Sequence, residues 1–172
     1  MGTTKLPVPS NSLPNFRIGS GVDIHQLTEG RKLIIGGVHI ESPFGALGHS
    51  DADVLLHAIC DALLGAANLR DIGFHFPDTD PRYKNADSKL LLRDTFSLIQ
   101  EKGYALGNMD CTVLLENPKV NPHIPAMQKI IAKIVEATVD QISIKATRGE
   151  KMGFVGKGQG IQAFATVLIY KP

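Results

Sequence analysis

The segment Phe16 to His25 constrains this chain most. Phe16, Ile18, Val22 and Ile24 alternate with Arg17, Gly19, Gly21, Asp23 and His25. A two-residue period belongs to a β-strand, here one with a single apolar face. Side chains two apart on a strand leave the same side, so Asp23 and His25 point together. Their neighbours on that side, Gly19 and Gly21, carry no side chain, and open room is expected beside the pair.

The rest of the chain reads as alternating elements. Leu33 to Ile40 holds two β-rich runs around Gly36-Gly37, the signature of a hairpin or bulge. From Asp53 to Ala67 an apolar stripe of Val54, Leu55, Ala58, Ile59, Ala62, Leu63 and Ala66 recurs at helical spacing, with Ser50 or Asp51 as N-cap. Asn68 to Ala86 is a long polar loop rich in Asp and Pro, and such loops in compact domains are commonly functional. A second helix is expected over Ser88 to Gly103, a strand over Met109 to Leu115, and a Pro-punctuated loop over Glu116 to Pro122. A third helix to about Ala137 and strands over Gln141 to Thr147 and Ile161 to Tyr170 complete the order. This order predicts one α+β domain over residues 16–172, a two-layer sandwich with helices on one face of a mixed sheet. Residues 1–15, rich in Pro, Ser and Thr, read as a flexible lead-in.

Composition removes several function classes. The chain has 172 residues, enough for one domain with a real core. Its 18 Lys and Arg nearly balance 17 Asp and Glu, so no electrostatic footprint for nucleic acid is present. Phosphate binding must then rest on local charge: metals, a few Lys or Arg, and backbone amides. No apolar run approaches the ~20 residues that span a bilayer, so no membrane role is expected. The N-terminal stretch lacks the apolar core of a secretion signal, and Cys60 and Cys111 read as buried thiols of a reducing, cytoplasmic setting.

A carboxylate beside an imidazole suits zinc or a similar divalent ion. His49 and His57 are both candidates for a third ligand. His57 flanks the helix stripe, with Asp53 and Asp61 four residues either side, and either acid could accept its second ring N–H. His49 lies just before the helix, near its positive end, where phosphate is favoured. Three protein ligands with an open fourth position describe a catalytic rather than a structural site.

Five segments extend this reading. Arg17-Ile18-Gly19-x-Gly21-x-Asp23-x-His25 is followed by the run Gly48 to Ala58, which contains His49, Ser50, Asp53 and His57. Next come Asp71 to Pro81, Asn117-Pro118-Lys119 and Lys145 to Lys151. In this order they resemble the 2-C-methyl-D-erythritol 2,4-cyclodiphosphate synthase family, from about Phe16 to Tyr170. The resemblance implies conversion of 4-diphosphocytidyl-2-C-methyl-D-erythritol 2-phosphate to the cyclic diphosphate and CMP, in the non-mevalonate route to isoprenoid precursors. It implies a homotrimer with active sites between subunits. It also implies a Zn2+-type ion on Asp23, His25 and His57, and a second ion, Mg2+ or Mn2+, bridging the substrate diphosphate with help from Glu150.

By the same resemblance, His49 and Ser50 contact the phosphates and the methylerythritol part, together with the metal ligands Asp23 and His25. Asp71, Ile72, Gly73, Phe76, Pro77, Asp78, Thr79 and Asp80 bind its hydroxyls. Leu115, Glu116, Asn117, Pro118, Lys119, Val120 and Asn121, with Thr147, Arg148, Gly149 and Glu150, form the cytidine pocket. His49, Arg148 and Glu150 take the catalytic roles. Arg148 stands where the family carries a threonine regarded as a transition-state stabiliser, and its guanidinium offers donors and charge to a leaving phosphate. Phe154 and Lys157 are candidate phosphate or channel contacts, by resemblance to a central trimer channel that the family lines with Arg and Glu. Lys157 keeps the charge without the bidentate fork, and Gln159 cannot complete the ion pair. A plain glycine-rich hairpin turn is the competing reading there. Competing readings of the same residues are a metallophosphatase that activates water, and a non-enzymatic metal or nucleotide sensor.

Overall fold

A computed structural model describes residues 15–83 and 85–172. The expected lead-in, apart from Asn15, lies outside the described residues. The alternating segment forms strand β1 (Phe16–Glu29), longer than its sequence pattern suggests. A hairpin of β2 (Leu33–Ile35) and β3 (Val38–Ile40) follows, then β4 (Phe44–Ala46). Gly36 and Gly37 form the two-residue turn with φ of 59° and 76°, the left-handed pair that such a tight hairpin requires. Helix α1 (Val54–Ala66), the short α2 (Ile72–His75) and α3 (Ser88–Glu101) come next. Strand β5 (Ala105–Leu114), α4 (Ile124–Ile134), β6 (Ile142–Thr147), the short α5 (Gly153–Gly156) and β7 (Gly160–Tyr170) complete the chain. The polar stretch Asn68 to Ala86 is less irregular than expected, since it holds α2 and a 3-10 turn over Pro81–Tyr83.

The main sheet has five strands in the order β4-β1-β7-β5-β6. Its β5–β6 pair is parallel and the others antiparallel, so the sheet is mixed and the fold is α+β. Helix α1 packs on β1 and β7, α4 on β6, and α3 spans α1 and α4. The core lies between these layers. It draws Leu55, Ile59 and Leu63 from α1, Met109 and Val113 from β5, and Ile161, Val167 and Ile169 from β7. Cys60 and Cys111 are free and buried there, and burial pushes both thiols up to about 12.

The alternation of β1 is borne out, but the open room expected where Gly19 and Gly21 lack side chains is not. The side carrying Gly19, Gly21, Asp23 and His25 faces α1. A Cβ on Gly21 would stand 2.7 Å from the Ala62 nitrogen and closer still to the Ala58 carbonyl oxygen. Gly19 meets the Ala62 carbonyl and the Ala66 backbone in the same way. The missing side chains admit the helix backbone and leave no cavity. The apolar side of β1 is outermost, with Ile18 64% and Val22 47% exposed.

Gly21→Ala would drive a methyl group into the helix backbone, which cannot rotate away. We expect destabilisation by ~3 kcal/mol or more, the upper end for overpacking. Denaturant unfolding would check this, and a midpoint indistinguishable from that of the unaltered chain would refute the close packing.

Candidate metal centre and cleft

The β1–α1 contact carries three polar side chains to one point. His57 lies one residue before Ala58, whose carbonyl oxygen abuts Gly21, so it stands over the Asp23 and His25 end of the strand. Asp23 Oδ2 is 2.9 Å from His25 Nε2 and 3.0 Å from His57 Nδ1. The two imidazole nitrogens are 3.3 Å apart. Ligands held at ~2.0–2.1 Å around a tetrahedral ion are separated by about 3.3 Å, so this triangle has the size of one face of such a site. One carboxylate oxygen and two imidazole nitrogens are also a borderline donor set suited to zinc. These residues can therefore hold a divalent ion.

The three side chains are also coupled electrostatically. Burial works to raise the Asp23 carboxyl, but the hydrogen bonds and charges of His25 and His57 outweigh it, and its pKa falls below the usual carboxylate range. Burial works to lower His57, and Asp23 outweighs it, raising the imidazole above its ordinary value. The site favours a negative carboxylate facing positive charge.

The expected partner of His57 is corrected. Neither Asp53 nor Asp61 accepts its second ring N–H. Asp53 is the N-cap of α1, the position expected for Ser50 or Asp51, and it accepts from the Leu55 and Leu56 amides. Its carboxylate also takes the Gly36 and Gly37 amides at 2.9 and 2.6 Å, tying the hairpin turn to the helix. Complete burial still pushes Asp53 up to about 6. Asp61 accepts from the Ile72 amide at 2.7 Å and so anchors α2. His57 Nε2 instead meets the hydroxyls of Ser88 at 2.9 Å and Ser50 at 3.2 Å.

A cleft of about 390 Å³ opens beside the three residues. Its lining includes His25, His57, His49, Ser50, Ile72, Gly73, Phe76 and Asp78, so these sequence candidates are brought together. Thr79 lines an adjoining hollow with His49 and Asp78. The other acids of the loop have local duties. Asp71 caps α2 through the Phe74 amide, and Asp80 accepts from the Arg82 guanidinium with both oxygens. Pro77 closes a turn, its carbonyl accepting from the Asp80 amide. Tyr83 and Leu91 also line the cleft and were not foreseen. Arg31 was missed too: its guanidinium donates to the carbonyls of Ala46, Gly48 and Ser50 and so braces the loop that presents His49.

The expected cytidine segments gather elsewhere. The Leu115 amide donates to Thr147, and the Gly149 amide donates to the Glu116 carboxylate at 3.0 Å. Arg148 Nε donates to the Glu116 carbonyl at 3.1 Å. Leu115 and Val120 are core residues, while Asn117, Lys119 and Asn121 are exposed around the cis Asn117–Pro118 bond. Among the described residues, none of Leu115 to Asn121 or Thr147 to Glu150 lines the cleft, and Glu150 is not part of the three-residue ligand cluster. Phe154 lies against Gly160, and Lys157 is exposed at the end of α5.

Comparison with known proteins agrees with this geometry. The family model described as the YgbB family matches residues 16–170. A 2-C-methyl-D-erythritol 2,4-cyclodiphosphate synthase of Parabacteroides distasonis is 61% identical over 156 residues, covering 91% of this chain and 97% of its own length. The enzyme of that name from Bacillus velezensis is 60% identical, covering 91% and 99%. A solved 2C-methyl-D-erythritol-2,4-cyclodiphosphate synthase in its CDP-bound form superposes with a TM-score of 0.82 at 39% identity, covering 89% of this chain and 99% of its own. The CDP complex of Plasmodium falciparum IspF gives 0.81 at 35% identity, covering 93% and 99%. With the whole of β1 to β7 matched, this chain belongs to the YgbB family, the family of these cyclodiphosphate synthases.

Proposed function

We propose that the chain is a metal-dependent 2-C-methyl-D-erythritol 2,4-cyclodiphosphate synthase acting in the non-mevalonate route to isoprenoid precursors. Its substrate is 4-diphosphocytidyl-2-C-methyl-D-erythritol 2-phosphate. The observation that carries this reading is the convergence of Asp23, His25 and His57 beside a cleft that also holds His49, Ser50 and Asp78.

An oxygen of the substrate's 2-phosphate forms a bond to the β-phosphorus. The bond from that phosphorus to the oxygen bridging it to CMP breaks, and CMP departs with the oxygen. No water enters. The attacking group is already an anion, so no activated side-chain nucleophile is required. When bound, a Zn2+-type ion at Asp23, His25 and His57 and a Mg2+ or Mn2+ ion at the diphosphate supply positive charge for the gathered phosphates. His49 and Ser50 contact phosphate. Asp78, with Ile72, Gly73 and Phe76, holds the diol and turns the 2-phosphate toward its target. Fixing attacker and target in one pose is worth several kcal/mol, up to ~7–11 in favourable intramolecular cases.

The cytidine half of the substrate falls to Leu115–Asn121 and Thr147–Glu150. These lie away from the cleft of their own chain, so a neighbouring copy supplies them, and the active unit is a homotrimer with sites between subunits. The outward face of β1 and β7 supports this. Val22 pairs with Phe164 and Ile18 with Leu168 on this face, with the Ser20–Thr166 pair between them, and Phe164 is 41% exposed. Exposed apolar pairs of this kind favour a protein partner. On β5 and β6 the same face turns polar, where Lys145 pairs with Asp110.

Turnover in 18O-labelled water should release CMP and the cyclic diphosphate with no label in either phosphate. Labelled phosphate would contradict the synthase reading in favour of a water-activating phosphatase. Light scattering on the eluting protein should give three times the 18.6 kDa chain mass. A monomer that retains full activity would contradict the shared site.

A further inference from the structure

We propose that Ser88 and Asp51 are positioning residues which hold His57 in the tautomer and orientation that present Nδ1 to a cation. The inference rests on the metal reading above and extends it to residues that lie behind the ligand.

Counting protons gives the direction of the chain of hydrogen bonds. Ser88 is fully buried, so its hydroxyl must be satisfied within the protein. It has one proton, and its oxygen is 2.5 Å from Asp51 Oδ1. A carboxylate accepts only, so the Ser88 proton goes to Asp51. The Ser88 oxygen is then the acceptor toward His57 Nε2 at 2.9 Å, and Nε2 must carry hydrogen. The Ser50 oxygen, which already accepts from the Ala52 amide, stands 3.2 Å from the same nitrogen as a second acceptor. With hydrogen on Nε2, a neutral His57 has its lone pair on Nδ1. That is the atom facing Asp23 Oδ2 and His25 Nε2. A lone pair 3.0 Å from a carboxylate oxygen is repelled unless positive charge lies between them.

Ser88 has no competing structural duty that accounts for its hydroxyl. The cap of α3 is the preceding residue, Asp87, whose carboxylate accepts from the Lys89 amide. Asp51 is itself pinned, because its second oxygen accepts the Ser88 amide at 3.1 Å. The backbone around it is also paired: Asp51 donates to Ala86 at 3.1 Å, and Asn85 donates to His49 at 2.8 Å. The relay therefore joins the His49–Ser50 loop, the start of α3 and the ligand on α1.

The test uses the full chain loaded with Zn2+. Long-range 1H–15N spectra should place the His57 proton on Nε2; a proton on Nδ1 would overturn the relay without any variant. Competition with a chromophoric chelator should then show Ser88→Ala binding Zn2+ roughly 10–100-fold more weakly, the usual cost of losing such a partner. Ser88→Thr, which keeps the hydroxyl, should recover most of the affinity and the Nε2–H signal. Equal affinity in folded Ser88→Ala and unaltered chain would overturn the relay while leaving the three-ligand site intact. Failure of the unaltered chain to bind Zn2+ would overturn the metal reading itself, and the relay with it.

Discussion

The contact between the backbones of β1 and α1 governs what the rest of the structure can do. Gly19 and Gly21 let the helix settle on the strand with no side chain between. That approach sets His57 over Asp23 and His25, so a packing feature and a ligand set share one stretch of chain. Asp53 fixes the helix along its axis. As N-cap it holds the Leu55 and Leu56 amides, and its other contacts draw in the Gly36–Gly37 turn. Burying such an acid is costly without partners, and here four backbone amides provide them. The strand, the helix and the hairpin are thereby locked before any ion is considered.

Much of this was legible in the sequence, and what was not has physical causes. Strand and helix periods located β1, α1, α3, β5, β6 and β7, because a half-buried element must repeat its apolar positions. The pairing of Asp23 with His25 followed from strand parity alone. The inward side of β1 was misjudged because its glycines serve as packing residues and its apolar residues face outward, toward other copies in the proposed trimer. Asp53 directly precedes the apolar stripe, which is a cap signal, and its spacing from His57 drew attention to the wrong duty. Ser88, Tyr83 and Leu91 reach the site through tertiary folding from a helix and loop distant in sequence, and no local pattern marks them. Arg31 was likewise invisible, since only the folded loop shows which carbonyls it braces.

The proposed division of the site follows from the same geometry. Residues on β1, α1, α2 and the following loop surround the cleft. The segments after β5 and β6 instead bind one another through Glu116, Arg148 and Gly149. Glu116 is nearly buried and accepts the Gly149 amide, so the Arg148 position belongs to a braced turn rather than a loose loop. Arg148 thus carries its guanidinium at the edge of a firm platform, in the region proposed to meet the nucleotide.

In the proposed centre, one cation is shared by a strand carboxylate and two imidazoles from different elements. Diffraction from crystals grown with Zn2+, collected on both sides of the zinc absorption edge, tests it most directly. One anomalous peak per chain is expected, about 2.0–2.2 Å from Asp23 Oδ2, His25 Nε2 and His57 Nδ1. A peak bound through His57 Nε2, or zinc held by other residues with this triangle empty, would contradict it.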